Sequence, residues 1–169
     1  LELGGKDPTY VRADADPKAA AESLADGAMY NTGQSCCSVE RIYVHESLHD
    51  AFVERFVATV QGMRVGDPLD PATQIGAMVD NTQTDRVMGY IAAGQKEGAK
   101  LAMGGKRVLA ETGGYYIEPT VFDKVSNMAD KLRGGISQRI RIGASEVVLR
   151  DYVPDVLRRL REKFPRLKF

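Results

Sequence analysis

Leu48, Phe52, Phe56, Val60 and Met63 recur at intervals of four, four, four and three residues, while Asp50, Glu54 and Arg55 fall elsewhere around the wheel. That spacing predicts an amphipathic helix with one buried stripe. Upstream, Asp16-Pro17 supplies a capping carboxylate and a first-turn proline, and Ala20, Leu24 and Ala28 mark one face of a second helix. Asn31-Thr32-Gly33 should stop it, because glycine accepts the left-handed conformation that terminates helices. A strand follows at about Arg41–His45, with Ile42 and Val44 on one face. "VGDPLDPATQIGAMVD" reads as a loop from its Pro, Asp and Gly content. A third helix spans roughly Thr82–Glu97, with Val87 and Ile91 inward. "AKLAMGG" predicts a short strand and a turn, and "GGYYIEPTVF" a turn and a β-rich run ending near Phe122. Strands alternating with helices predict an α/β domain with a largely parallel sheet flanked by helices.

After Asn127 the pattern changes. "MADKLRGGISQ" (residues 128–138) reads as a linker. Residues 139–169 read as a short β-α-β unit: a strand alternating Ile140, Ile142 and Ala144, a helix striped by Leu149, Val153, Val156, Leu160 and Phe164, and a strand beginning in "RLKF". Pro154 would break a helix interior, so the helix should begin near Asp151 with the proline in its first turn. Charge turns at the same point. Residues 1–127 hold 12 Lys and Arg against 18 Asp and Glu, and residues 128–169 hold 11 against 5, so the net charge of zero conceals two segments of opposite sign. A basic tail can serve nucleic acid or form a solvated outer face. The solvated face is the reading adopted, because the basic residues fall on the outer face of the tail helix.

Composition narrows the class. With 43% hydrophobic and 27% charged residues, the chain can build a real core. No run approaches 18 consecutive apolar residues and no signal peptide is visible, so a cytoplasmic protein without a membrane partner is expected. The start at Leu1 rather than Met points to a cut beginning. The two cysteines are adjacent, which suits neither a disulfide framework nor, with two scattered histidines, a zinc site, and no metal is expected.

Those cysteines sit in "TGQSCCSVERIYV", on the turn between the first helix and its strand. An accessible thiolate is a nucleophile, and free cysteine is already a few per cent ionised at neutral pH, so no histidine partner is obligatory. His45 and His49 lie beyond the strand, at its far end from Cys36. Two small buried hydrophobes are the alternative reading of Cys36 and Cys37. "LELGGKDP" at the start reads as a strand end followed by a tight Gly4-Gly5 turn. A carboxylate at such a strand end, Glu2, can face a cleft and deprotonate water, or it can be a solvated side chain at a frayed terminus.

Taken together, "ELGGK" followed by "GQSC" is similar to the paired signature of the aldehyde dehydrogenase superfamily. The resemblance continues through "FVERFVATV", "VGDPLDPATQIGAMVD", "GYIAAGQKEGAKLAMGGKR" and "GGYYIEPTVF", covering about residues 1–127 as a partial catalytic domain. It implies that Cys36 is the catalytic thiol, Cys37 its non-catalytic neighbour and Glu2 the general base. It also implies the reaction. The thiolate adds to an aldehyde, hydride passes to NAD or NADP, and Glu2 activates the water that releases a carboxylic acid from the thioester. A homo-oligomer is what the family implies for assembly.

The resemblance also marks what these residues lack. The family's dinucleotide-binding domain precedes "ELGGK", and no G-x-G-x-x-G loop occurs in this sequence, so the cofactor site is expected to be largely absent. The upstream asparagine that serves as the second oxyanion donor is missing, and "DKVSNMADKL" stands where the family continues toward "EEIFGP". "RIRIGASEVVLRDYVPDVLRRLREKFPRLKF" resembles the opening of a LysR-type effector-binding domain, without a helix-turn-helix before it. The expectation is therefore an aldehyde dehydrogenase fragment inactive alone. The alternatives are an inert fusion or truncated product and, less favoured, a LysR-type sensor fragment. Surface cut from missing neighbours should promote association.

Overall fold

The computed structural model describes Gly5, residues 7–123 and the backbone of residues 139–143. Glu2, the predicted linker, the tail helix and the last predicted strand lie outside the described residues.

The first strand, β1, is Asp7–Val11. Helix α1 (Pro17–Met29) follows, started as the sequence predicts: the Asp16 carboxylate accepts the Lys18 N–H at 2.9 Å and Pro17 occupies the first turn. The next strand, β2 (Val39–Val44), lies parallel beside β1. Parallel neighbours need a crossover, and α1 supplies it. Helix α2 (His49–Gln61) and a long loop with an isolated bridge between Val65 and Ile75 lead to α3 (Asn81–Lys96). Four short strands follow: β3 (Lys100–Met103), β4 (Arg107–Val108), β5 (Tyr116–Ile117) and β6 (Thr120–Asp123). Strand β7 is Arg139–Gly143.

The main sheet runs β1-β2-β7-β6-β3, and β4 pairs with β5 in a two-stranded ribbon. The α/β class stands. The parallel pairing expected of alternating strands and helices is confined, among the described strands, to β1–β2; the β2–β7, β7–β6 and β6–β3 ladders are antiparallel. Strand β7, which falls in the predicted tail, is thus part of the main sheet. Sequence patterning did not show β1. Pro8 argues against a strand, and only Val11 of its five residues is buried. It is tolerated because β1 is the edge, where one side of the ladder needs no donor.

Alternation along β6 sorts the core. Val121 packs with α1, α2, Ile42 and Val44, whereas Phe122 packs with Val87 and Ile91 of α3. The helices therefore cover both faces of the sheet. In α2 the predicted stripe is correct: Phe52, Phe56 and Val60 are buried, flanked by partly buried Leu48 and Met63. The Phe52 and Phe56 rings stack with centroids 5.7 Å apart. In α1 the buried positions are Ala21, Ala25, Ala28 and Met29, with Ala20 and Leu24 only partly buried. The expected stripe is thus displaced by one residue at its first two positions. The small alanines face the core, where they leave room for the bulky rings of α2.

Candidate functional site

The two segments that carry the sequence motifs immediately precede β1 and β2. Because those strands are parallel, with Asp7 opposite Val39 and the register shifting once before Pro8 meets Arg41, both motifs arrive at the same end of the sheet. Gly5 marks the meeting point. Its φ is +73°, the left-handed turn expected of the glycine pair, and its Cα lies against the Cys36 backbone. A Cβ built at Gly5 would collide with the Cys36 carbonyl oxygen and stand 3.2 Å from the Cys36 Cα. The structure thus brings "ELGGK" and "GQSC" together through Gly5. The position of Glu2 itself lies outside the described residues.

Cys36 and Cys37 are both exposed free thiols, which corrects the reading of either as a buried hydrophobe. The turn stands off the core because Ser38, not a cysteine, points inward: it is buried, and its hydroxyl donates to the Ala28 carbonyl at 3.1 Å. The Cys37 Sγ lies 3.1 Å from the Ser35 hydroxyl.

The backbone before Cys36 is unusual. Asn31, Thr32 and Gly33 all have positive φ, at 50°, 59° and 71°. The predicted helix stop is where the sequence places it, but glycine is only the last of three left-handed residues. A β-branched residue in this region is strained, and such strain persists only where surroundings over-determine it. Those surroundings are the loop before α3. Thr32 Oγ1 accepts the Gly76 N–H at 3.1 Å. Gln34 Oε1 accepts the Val79 N–H at 2.9 Å, and its Nε2 donates to the Ala77 carbonyl at 3.3 Å. Sequence reasoning did not identify Thr32 or Gln34 as site residues, since hydrogen bonds across more than forty residues leave no local signal.

His45 and His49 sit at the other end of β2, as their sequence positions imply. His45 Nδ1 pairs with the Ser47 hydroxyl at 2.9 Å, and buried His49 bridges Asp50 at 2.8 Å and Asp123 at 3.1 Å. Neither serves the cysteine turn. Among the described residues no group of three or more His, Cys, Asp and Glu could hold a metal ion, and no helix is long and apolar enough to cross a membrane.

A dinucleotide needs phosphate-cradling N–H groups, commonly at a helix N-terminus. Each of the three described α-helices already carries a carboxylate at its start. Asp16 already accepts the Lys18 N–H, Asp80 accepts the Gln83 N–H at 2.7 Å, and Asp50 puts a carboxylate in the first turn of α2.

The α/β scaffold thus presents an exposed cysteine next to a run of left-handed residues, beside a glycine turn at the head of a parallel strand pair. The sequence matches the aldehyde dehydrogenase family over residues 1–134, and the chain belongs to that family. It is 45% identical over 129 residues to the betaine aldehyde dehydrogenase of Brucella anthropi, a match covering 75% of this chain and 26% of that protein. Among solved structures it is similar to the aldehyde dehydrogenase KauB from Pseudomonas aeruginosa (49% identity, TM-score 0.72, 75% of this chain and 26% of that one). It is also similar to a Mycobacterium tuberculosis aldehyde dehydrogenase complexed with NAD+ (41% identity, TM-score 0.71, 75% and 26%). The chain spans about a quarter of the length of the curated relatives it matches. These matches give the LysR-type resemblance of the tail no support.

Proposed function

We propose that this chain carries the acyl-transfer part of an NAD(P)-dependent aldehyde dehydrogenase that acts on a small-molecule aldehyde. The carrying observation is the exposed Cys36 thiol packed, through its backbone, against the Gly5 turn of the second motif. The Cys36 thiolate adds to the aldehyde carbon, and the Cys36 N–H receives the charge that develops on oxygen. Sulfur suits both ends of the reaction, being a strong nucleophile and a good leaving group. Glu2, four residues before Lys6 in the same motif, takes a proton from the water that releases the acid from the thioester. The intervening oxidation needs a hydride acceptor, and each described helix start, where a dinucleotide phosphate would seek N–H groups, already carries a carboxylate. The 169-residue chain assayed alone is therefore expected not to reduce NAD or NADP. Cys37 takes no part in bond making.

An activated ester bypasses oxidation and isolates the thiol's own chemistry. With p-nitrophenyl acetate, the pure chain should give a nitrophenolate burst that disappears in Cys36→Ser and persists in Cys37→Ser. Glu2→Gln should keep the burst and slow the turnover that follows. A chain whose ester hydrolysis is unaffected by Cys36→Ser would favour the alternative, an inert truncated product. Production of NADH from aldehyde by the chain alone would refute the reading that its cofactor site is incomplete.

A further inference from the structure

We infer that Gln34 and Thr32 are positioning residues for the Cys36 thiol, locking its turn onto the loop before α3; this rests on Cys36 being the nucleophile. The turn does not hold its own shape. Local hydrogen bonds exist, from the Gln34 N–H to the Asn31 carbonyl at 3.0 Å and from Asn31 Nδ2 to the Gln34 carbonyl at 3.1 Å. Yet they close over three consecutive left-handed residues, two of them not glycine. Such a conformation relaxes unless something outside it resists.

The resistance comes from residues 76–79. Gln34 uses both ends of its side-chain amide there, accepting from Val79 and donating to Ala77, and Thr32 accepts from Gly76. That loop is itself anchored at both ends. Ile75 is buried, its N–H donates to the Arg64 carbonyl, and its own carbonyl accepts the Gly66 N–H. Met78 is buried and donates to the Tyr115 carbonyl at 2.8 Å, and Asp80 caps α3. The clamp therefore connects the cysteine turn to three separate parts of the fold. A nucleophile held in this way keeps its sulfur in one attack geometry, and a misplacement of about 1 Å can cost on the order of 100-fold in rate.

The test compares variants of the full chain. Gln34→Met keeps side-chain length and removes both amide contacts; Thr32→Val removes the acceptor and Thr32→Ser retains it. The ester burst assigned to Cys36 by peptide mass spectrometry is measured across pH, with iodoacetamide labelling of Cys37 as an internal reference. Gln34→Met and Thr32→Val should slow Cys36 acylation about 10-fold or more and shift its pH profile, while Cys37 labelling stays within about twofold and Thr32→Ser restores the parent rate. Faster exchange of the Val79 and Gly76 amides should accompany the loss. A Cys36-dependent burst left unchanged by both variants overturns the positioning role alone. A burst that never depended on Cys36 removes the nucleophile and this inference with it. Should Gln34→Met fail to melt cooperatively, the Thr32→Val and Thr32→Ser pair decides.

Discussion

Gly5 and Cys36, thirty-one positions apart, touch backbone to backbone: the glycine Cα faces the cysteine carbonyl so closely that no side chain fits between them. The contact exists because β1 and β2 run parallel from this point, so the residues just before each strand are forced together. Gly5→Ala should therefore destabilise the chain. A non-glycine residue at a positive φ costs about 1–3 kcal/mol, and the Cys36 carbonyl prevents a simple local relaxation. Urea unfolding of the variant is expected to show a loss in the upper part of that range, with the Cys36 ester burst weakened in the fraction that remains folded. An unchanged midpoint would mean that the two turns do not press on each other.

The core under the site rests on Phe52 and Phe56, which are fully buried and stacked against each other over the alanine face of α1. Truncating either ring to alanine should cost about 3–5 kcal/mol. Because the rings are in contact, the double variant should depart from the sum of the singles. Thermal and denaturant melts of all three chains measure both quantities.

At the opposite end of β2, Asp123 is buried and takes His49 Nε2 at 3.1 Å on one oxygen and Lys100 Nζ at 3.3 Å on the other. It ties the start of α2 to the β3–β6 pair. Asp123→Ala should destabilise by about 1–3 kcal/mol, because His49 is left buried without that partner. Lys100→Ala should cost about 0–1 kcal/mol, since the ammonium is largely exposed and remains hydrated. Equal losses in the two variants would show that the exposed contact matters as much as the buried one.

The Glu22 carboxylate on α1 meets the Arg55 guanidinium on α2. Its pKa lies below the ordinary value of 4.5, chiefly because Arg55 donates a hydrogen bond to the charged form, with the Arg55 and Lys18 charges adding to the effect. A carboxyl depressed in the folded state stabilises the fold above its unfolded pKa and loses that contribution as pH falls through the folded value. Glu22→Gln should therefore differ slightly from the parent near neutral pH and converge with it as pH falls through the depressed pKa. Both groups are half exposed, so added salt should shrink the difference. A gap between the two chains that widens toward acid would contradict the sign.

Helices were the most legible feature, since each carries its own evidence. Asp16-Pro17 announced α1, the Phe52-Phe56-Val60 stripe announced α2, and Val87 with Ile91 oriented α3. Strand β1 was hidden by Pro8 and by side chains that mostly face outward, and a strand at a sheet edge needs neither alternation nor a full set of donors. In the site, Cys36 was legible as a reactive type of residue on a turn. Its exposure was not, because whether Cys37 or Ser38 faces inward depends on the Ala28 carbonyl that takes the serine hydroxyl.

By itself, the order of residues determined where helices start and stop, which chemistry the thiol at position 36 can perform, and that two separate motifs belong to one family. Those properties are local, set by side-chain type and by periods of a few residues. Only the folded chain decided that Gly5 abuts Cys36 and that Thr32 and Gln34 grip residues 76–79. It alone placed β7 between β2 and β6. These relationships join positions from 17 to about a hundred residues apart, and they exist only once strand pairing and helix packing have brought those positions into contact.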